Sequence, residues 1–392
     1  MITVQQAKQI IQDAAIAPKI VKLPLLEAFG FTLAEDIIAT VDIPNFAQSS
    51  MDGYAVKFED RDIQLDIIGE MAAGVTNQFT IKAGQATRIF TGAPLPIGAD
   101  TVIMQEKVFV ENKVLRLQDD NLSCGLNVRP KGAEVKRGEL AMIKGTYLSV
   151  AALGFLAGIG NTHVTIYAAP KVAIILTGNE LQQPGEALQF GQVYEANSVL
   201  LTAALKKSGI IDITILRSED NPETLASILQ QALDSNDIVL LNGGVSVGDY
   251  DYVVGAAHAC GVEQKFHKIK QKPGKPLFFG TKADKLVFGL PGNPSSGLTC
   301  FYEYVLPALE LLMHKEASVI SVTATVTHDY NKPSGITHFL KAFYKDGKVT
   351  PLHAQESFRL HSFAQANCFI VLDEESTGCI AGDTVEVHLL PL

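Results

Sequence analysis

Carboxylates, hydroxyls and lysines of this 392-residue chain gather in a few loops rich in glycine and proline. Three of these loops each follow an apolar run. KVAIILT (171–177) leads into Gly178-Asn179-Glu180, DIVLLN (237–242) into GGVSVGDYD (243–251), and LVFGL (286–290) into PGNPSSG (291–297). Such runs, alternating with helical segments, read as buried parallel strands. Ligands of parallel sheets bind beyond the carboxyl ends of the strands, so the three loops are expected to converge on one mouth, with chemistry suited to phosphate and a metal ion.

Each loop has its own mechanics. In PGNPSSG, Pro291 and Pro294 stiffen the turn, Gly292 lets backbone approach a ligand, and Ser295 or Ser296 is expected to cap a helix starting near Gly297. Open N–H groups at that helix start would favour an anion by roughly 0.3–1 kcal/mol, although an ordinary strand-to-helix turn reads the same way. GGVSVGDYD offers a nest of backbone donors, the hydroxyl of Ser246 and the carboxylates of Asp249 and Asp251; Asp251 equally suits a cap for a helix at Tyr252. Neither GxGxxG nor GxxxxGK[ST] is present, which disfavours a dinucleotide fold and a P-loop hydrolase. KIKQKPGKP (268–276) sets lysines on a run stiffened by two prolines and a glycine, a shaped basic edge suited to a polyphosphate or a tetrahedral oxyanion. SSMDGYA (49–55) presents Asp52 on a turn that could also be a plain hairpin, and TGAPLPIGAD (91–100) is a stiffened loop whose role composition alone leaves open.

The elements that must position these loops follow from pattern. Residues 1 to about 43 read as a helix and then extended chain, 44 to about 138 as short alternating strands, and the stretch near Ser149–Leu156 as helix again. An α/β region with helices near Ser198–Ser208, Pro222–Asp234, Tyr252–Cys260 and Ser295–Leu312 follows, and short strands after His314 suggest a β-barrel or sandwich. A net charge of −10 argues against bulk nucleic-acid binding. The five cysteines lack CxxC pairing, so neither a zinc site nor a disulfide framework is signalled. The N-terminus has no secretory pattern and Tyr147–Gly160 is too short and broken to span a bilayer, so a cytoplasmic protein without membrane contact is expected.

Taken in order, PNFAQSSMDGYA (44–55), RIFTGAPLPIGADTVIMQE (88–106), ILTGNEL (175–181), GGVSVGDYD, KQKPGKPLFFG and GLPGNPSSG resemble the molybdopterin molybdenumtransferase family, which includes MoeA and the gephyrin E domain. The resemblance covers essentially the whole chain. It implies a multidomain α/β protein: an elongated first domain (1–43 and 138–169), an inserted β domain (44–137), an α/β/α molybdopterin-binding domain (170–316) and a C-terminal β-barrel (317–392). It also implies a homodimer with the active site between subunits, a possible exchange with the molybdopterin adenylyltransferase, and magnesium-dependent cleavage of adenylylated molybdopterin, with release of AMP and insertion of molybdenum from molybdate. A gephyrin-like scaffold without transferase activity is the alternative.

Carried over by motif, Asp52, Glu180, Asp220 and Asp251 match the functional carboxylates, Glu180 and Asp251 among them as Mg²⁺ ligands. Thr91, Thr177, Gly243, Gly244, Ser246, Asp249, Lys268, Lys272, Lys275, Pro291, Gly292, Asn293, Pro294, Ser296 and Ser357 match substrate-binding positions. Two carboxylates 4 Å apart repel by about 4 kcal/mol at an effective dielectric of 20, so such a cluster calls for a cation, and Mg²⁺ prefers oxygen ligands and bridges phosphates. The chain departs from the family in two places. Glu134 stands where an Asp is usual, and GITHFLKAF (335–343) replaces an arginine-bearing strand, which makes Lys341 and Arg359 candidates to stand in for that arginine.

Overall fold

The computed structural model describes residues 1–15, 18–76, 78–244 and 252–391. Contacts divide the chain into two compact units, one of Met1–Val21, Gly30–Thr32 and Ile166–Leu392, the other of Lys22–Phe29 and Leu33–Thr165.

In the first unit, β1 (Val172–Thr177), β2 (Ile213–Ser218), β3 (Ile238–Asn242), β4 (Glu263–Lys268), β5 (Pro276–Lys282) and β6 (Lys285–Leu290) form one sheet in the order β2-β1-β3-β6-β5-β4. The first four strands of that order are parallel; β5 and β4 add an antiparallel edge. Successive side chains alternate between two cores. Val172, Ile174, Leu176, Leu240 and Phe288 face one core, shared with the helices Asn197–Lys207 and Pro294–Cys300. Ala173, Ile175, Val239, Leu241 and Val287 face the other, shared with Pro222–Ser235 and Tyr252–Ala259. Burial on both faces is why these strands are apolar throughout, and each fully buried Leu, Ile or Val contributes about 1.5–3 kcal/mol.

The helix Val4–Ala14 is started by a reciprocal cap, Gln6 N–H to Thr3 Oγ1 at 3.1 Å and Thr3 N–H to Gln6 Oε1 at 3.0 Å. It buries Ala7 and Ile11 in the α/β core, so its apolar face belongs with this body and not with the extended chain that follows it. After β6 the helix begins at Pro294, three residues earlier than expected. Ser295 and Ser296 lie buried inside its first turn and neither caps it, and Asn293 holds the N-cap position without a side-chain capping bond. The helix continues through a π turn, Phe301–Val305, into Leu306–Leu312.

The C-terminal strands β7 (Ile320–Val326), β8 (Thr337–Lys345), β9 (Lys348–Pro351), β10 (Cys368–Leu372) and β11 (Thr384–Leu389) close on themselves as β8-β9-β7-β11-β10-β8, a five-stranded barrel. Glu303, fully buried on the π turn, accepts from Lys8 at 2.6 Å and pairs with His388 of β11 at 2.8 Å. Burial pushes its pKa up, but these partners outweigh that and hold the carboxyl below the usual range.

The second unit carries a six-stranded sheet in the order Thr101–Met104, Gly53–Val56, Gln85–Ile89, Leu65–Met71, Val114–Leu117, Val108–Glu111. The run TVIMQEKVFV forms two of these strands, because a tight turn at Gln105–Lys107 breaks it. Ser149 caps the helix Val150–Gly158 through Ala152 N–H at 3.2 Å. Among the described residues no helix is long and apolar enough to cross a membrane.

Candidate active site

Register places the strand ends side by side: Thr177 pairs with Ser218, Leu176 with Asn242, and Asn242 with Leu290. The loops that follow line one cavity of about 720 Å³, whose walls include Thr177, Glu180, Asp220, Gly243, Gly244, Pro291, Gly292, Asn293 and Pro294. Sequence reasoning expected this convergence from the apolar runs alone. Gly243 is required by contact: its φ is +95°, and a Cβ there would lie 2.7 Å from both the carbonyl and the hydroxyl oxygen of Thr177. Asn179 laces the Glu180 loop to the Asp220 loop, its N–H donating to Asp220 Oδ2 at 3.1 Å. Ser246, Asp249 and Asp251 lie outside the described residues. Among the described residues no three His, Cys, Asp or Glu side chains group closely enough to hold a metal ion.

Two buried amides that the motifs did not flag hold the mouth together. Asn197 donates from Nδ2 to Asn242 Oδ1 at 2.7 Å and to the Gly292 carbonyl at 2.8 Å, and Asn242 Nδ2 donates to the Pro291 carbonyl at 3.1 Å. The PGNPSSG turn is thereby tied to the end of β3 and to the start of the helix Asn197–Lys207. Asn242 was hidden from sequence reading because it ends an apolar run, and Asn197 because it stands just ahead of the helix expected from Ser198.

The lysine edge is shaped from beneath. Gln271 is fully buried, and its Nε2 donates to the carbonyls of Pro273 and Gly274, each at 3.1 Å, while the Tyr304 hydroxyl donates to its Oε1. The N–H of Ile269 donates to the carbonyl of Lys275 at 3.0 Å, closing the turn that exposes Lys272 and Lys275; Lys268 ends β4 just before it, half-buried. The short strand Gln271–Lys272 pairs in parallel with the start of β8, Lys272 opposite His338. Burial, with Lys332 and Lys272 adding to it, pushes His338 down to about 4, so the ring beside Lys272 is neutral near pH 7.

The barrel contributes one more wall. Ser357 Oγ accepts from Asn293 Nδ2 at 3.0 Å, which brings two sequence-expected residues together, and Phe358 lines the cavity. The ammonium of Lys341, only 2% exposed, donates to the carbonyls of Ala354 at 2.8 Å and Arg359 at 3.0 Å, and at longer range to that of Glu356 at 3.5 Å. Its donors are committed to backbone, so Lys341 does not replace an oxyanion-binding arginine; it holds the loop that carries Ser357. Burial lowers its pKa accordingly. Arg359 pairs with Glu356 at 3.1 Å.

In the second unit, Asp52 and Thr91 form one feature. Thr91 donates to Asp52 Oδ1 from its N–H at 2.7 Å and from its hydroxyl at 2.8 Å. The two bonds, followed by the nearby charge of Arg88, hold the exposed carboxyl below the usual range. Gly53 allows the turn to lie flat on its neighbour: a Cβ would fall 1.8 Å from the Ile103 carbonyl oxygen. Arg88 was not anticipated; it lies 5.0 Å from the Tyr54 ring and 5.1 Å from the Phe90 ring and donates to the Gly53 carbonyl at 3.3 Å. The N–H of Glu134 donates to the Ile43 carbonyl at 2.9 Å.

A doubly covered, mostly parallel sheet with acidic and glycine-rich loops at its carboxyl mouth, followed by a closed barrel, defines a multidomain α/β ligand-binding protein. Comparison with known proteins makes the class specific. Residues 2–160 match the MoeA N-terminal region (domain I and II), 173–311 a probable molybdopterin binding domain, and 323–390 the MoeA C-terminal region (domain IV). The chain is 34% identical to the molybdopterin molybdenumtransferase of Staphylococcus epidermidis, over 99% of this chain and 95% of that one. It is also 34% identical to the enzyme of that name from Haemophilus influenzae over the full length of both. Two solved structures of the molybdopterin biosynthesis MoeA protein of Pyrococcus horikoshii superpose with TM-scores of 0.87 and 0.80, at 31% and 30% identity, each over 99% of this chain and 99–100% of the other. The chain belongs to the molybdopterin molybdenumtransferase (MoeA) family.

Proposed function

We propose that this chain inserts molybdenum, supplied as molybdate, into adenylylated molybdopterin, with a water oxygen bonding to phosphorus as the pyrophosphate P–O bond breaks and AMP leaves. The observation that carries the reading is the single cavity lined by Glu180, Asp220, the glycine loop and the PGNPSSG turn, with Ser357 bonded to that turn at 3.0 Å. In this reading Gly244, Gly292, Asn293 and Ser296 offer N–H donors to the pterin phosphate, Pro291 and Pro294, which lack an N–H, stiffen the turn that presents them, Gly243 lets the loop pass close to Thr177, and Ser246 and Asp249 are assigned to the same binding loop. Lys268, Lys272 and Lys275 hold the incoming oxyanion, helped by Ser357. Asp52, oriented by Thr91, is a further catalytic carboxylate.

Glu180 and Asp220 bring carboxylate oxygens, the donor class Mg²⁺ takes, to the mouth; in this reading Glu180 with Asp251 would hold the ion, and Asp220 is a catalytic carboxylate. When bound, the ion supplies charge neutralisation on the pyrophosphate. The protein's own task is then positioning and electrostatic stabilisation, without a protein nucleophile.

We further read the chain as four domains, with the α/β domain near 170–316, the barrel near 317–392, the inserted β domain near 44–137 and an elongated domain from the remaining N-terminal segments. The helix Val4–Ala14 goes with the α/β core by its contacts. A cytoplasmic homodimer that receives its substrate from the adenylyltransferase completes the proposal. Incubation with adenylylated molybdopterin, Mg²⁺ and molybdate tests it: AMP and active cofactor should appear together, and AMP release that ignores both additions would refute it.

A further inference from the structure

Two atoms at the mouth stand out by lacking what buried polar atoms need. Among the described residues, Thr177 Oγ1 and Asn197 Oδ1 are buried without a hydrogen-bond partner, and both residues line the cavity. They are 6% and 9% exposed. Buried acceptors left open in this way are rare and call for an explanation.

The orientation of Asn197 follows from its neighbours. The carbonyls of Pro291 and Gly292 can only accept. Asn242 must therefore turn its Nδ2 to Pro291, at 3.1 Å, which turns its Oδ1 toward Asn197. Asn197 in turn must present Nδ2 to both Asn242 Oδ1 and the Gly292 carbonyl, at 2.7 and 2.8 Å. Rotating either amide would set oxygen against oxygen. The remaining terminal atom of Asn197 is an acceptor, held in place by two hydrogen bonds and matched by no donor among the described residues. Thr177 lies across the same strand ends, close enough to Gly243 to exclude a side chain there.

An amide oxygen cannot serve the phosphates of the ligand, which at neutral pH also only accept. It suits a part of the ligand that donates. We propose that Asn197, assisted by the Thr177 hydroxyl, is a specificity determinant of this cavity, its side-chain oxygen accepting a hydrogen bond from the amino edge of the ligand's nitrogen heterocycle. The inference rests on the cavity being the substrate site. Pterin and adenine both carry such an edge, and both occur in adenylylated molybdopterin.

Calorimetric titration of the full-length protein separates them. The probes are AMP against inosine monophosphate, and 6-hydroxymethylpterin against 6-hydroxymethyllumazine; within each pair an amino group is replaced by an oxo group. For one of the two pairs, the unmodified protein should bind the amino compound about tenfold or more tighter than its oxo counterpart, because an open buried acceptor penalises a ligand that cannot donate. Asn197→Ala should abolish that preference. Because Asn197→Ala also removes the bond to Gly292, Thr177→Val is the second variant: its hydroxyl makes no hydrogen bond among the described residues, so a purely structural role predicts unchanged binding, whereas the proposal expects the same preference to shrink. Equal weakening of amino and oxo ligands in both variants, or undiminished preference, overturns the inference while leaving the substrate site standing. Failure of the unmodified protein to bind either AMP or the pterin overturns the reading of the cavity and this inference with it.

Discussion

The mouth of the α/β sheet and the Asp52 turn present the same kind of residue by opposite means. At the mouth, loops are held from below by buried amides and a buried lysine. Asn197 and Asn242 fix the PGNPSSG turn, Gln271 fixes the lysine edge, and Lys341 fixes the segment bearing Ser357. At Asp52 the carboxylate is exposed, and one threonine supplies two hydrogen bonds to it, at 2.7 and 2.8 Å. Buried scaffolds couple function to stability, because losing one donor strands several carbonyls. An exposed pair does not, so Asp52 should be separable from folding.

The comparison is broken most readily at its exposed end. Asp52→Asn should lower AMP release by about 100-fold or more, as removal of an electrostatic catalytic group does, while urea unfolding stays unchanged. Equal loss of stability and activity would erase the contrast. At the buried end, Gln271→Leu leaves the Pro273 and Gly274 carbonyls without their donor and should cost about 2 kcal/mol or more in urea unfolding, with a raised molybdate requirement in turnover assays. Lys341→Met should raise the molybdate concentration for half-maximal rate several-fold, with Lys341→Arg restoring most of it; an unchanged requirement would show that the Ser357 loop holds its place without the ammonium.

The smallest expected effect is a shift in pH dependence. The Thr91 bonds depress the Asp52 pKa, so their contribution is complete above the ordinary Asp value of about 3.9 and is lost as pH falls through the depressed one. Thr91→Val should move the Asp52 titration upward, toward its usual range. NMR observation of the Asp52 carboxyl resonance measures this directly; because valine keeps the N–H bond, an unmoved titration would assign the shift to that backbone bond, with Arg88 behind it.

Much of this architecture was legible because burial on two faces writes itself as continuous apolar runs. KVAIILT, DIVLLN and LVFGL each became a central strand, and their loops met. Closure of the C-terminal strands into a barrel was less so, because pairing of β8 with β10 joins residues some 30 positions apart, as Leu340 with Ile370, and local pattern carries no record of it. The supporting groups were the least visible. Gln271, Asn197 and Asn242 act through backbone carbonyls, which have no sequence signature. Lys341 looked like a ligand-binding cation for the same reason; its three carbonyl partners appear only once the 354–359 segment folds over it. The helix start at PGNPSSG was misjudged because Pro294 can open a helix itself, which leaves the following serines inside the first turn.

The central claim, that one set of loops binds the pterin nucleotide while a lysine edge delivers the oxyanion, is tested most directly by Lys275→Ala. AMP release from adenylylated molybdopterin with Mg²⁺ should be followed as molybdate is varied, alongside substrate binding by titration. The expected result is a molybdate requirement raised about tenfold or more with pterin-nucleotide affinity nearly unchanged, as loss of a single charge-assisted contact implies. A molybdate dependence identical to that of the unmodified protein would contradict the account.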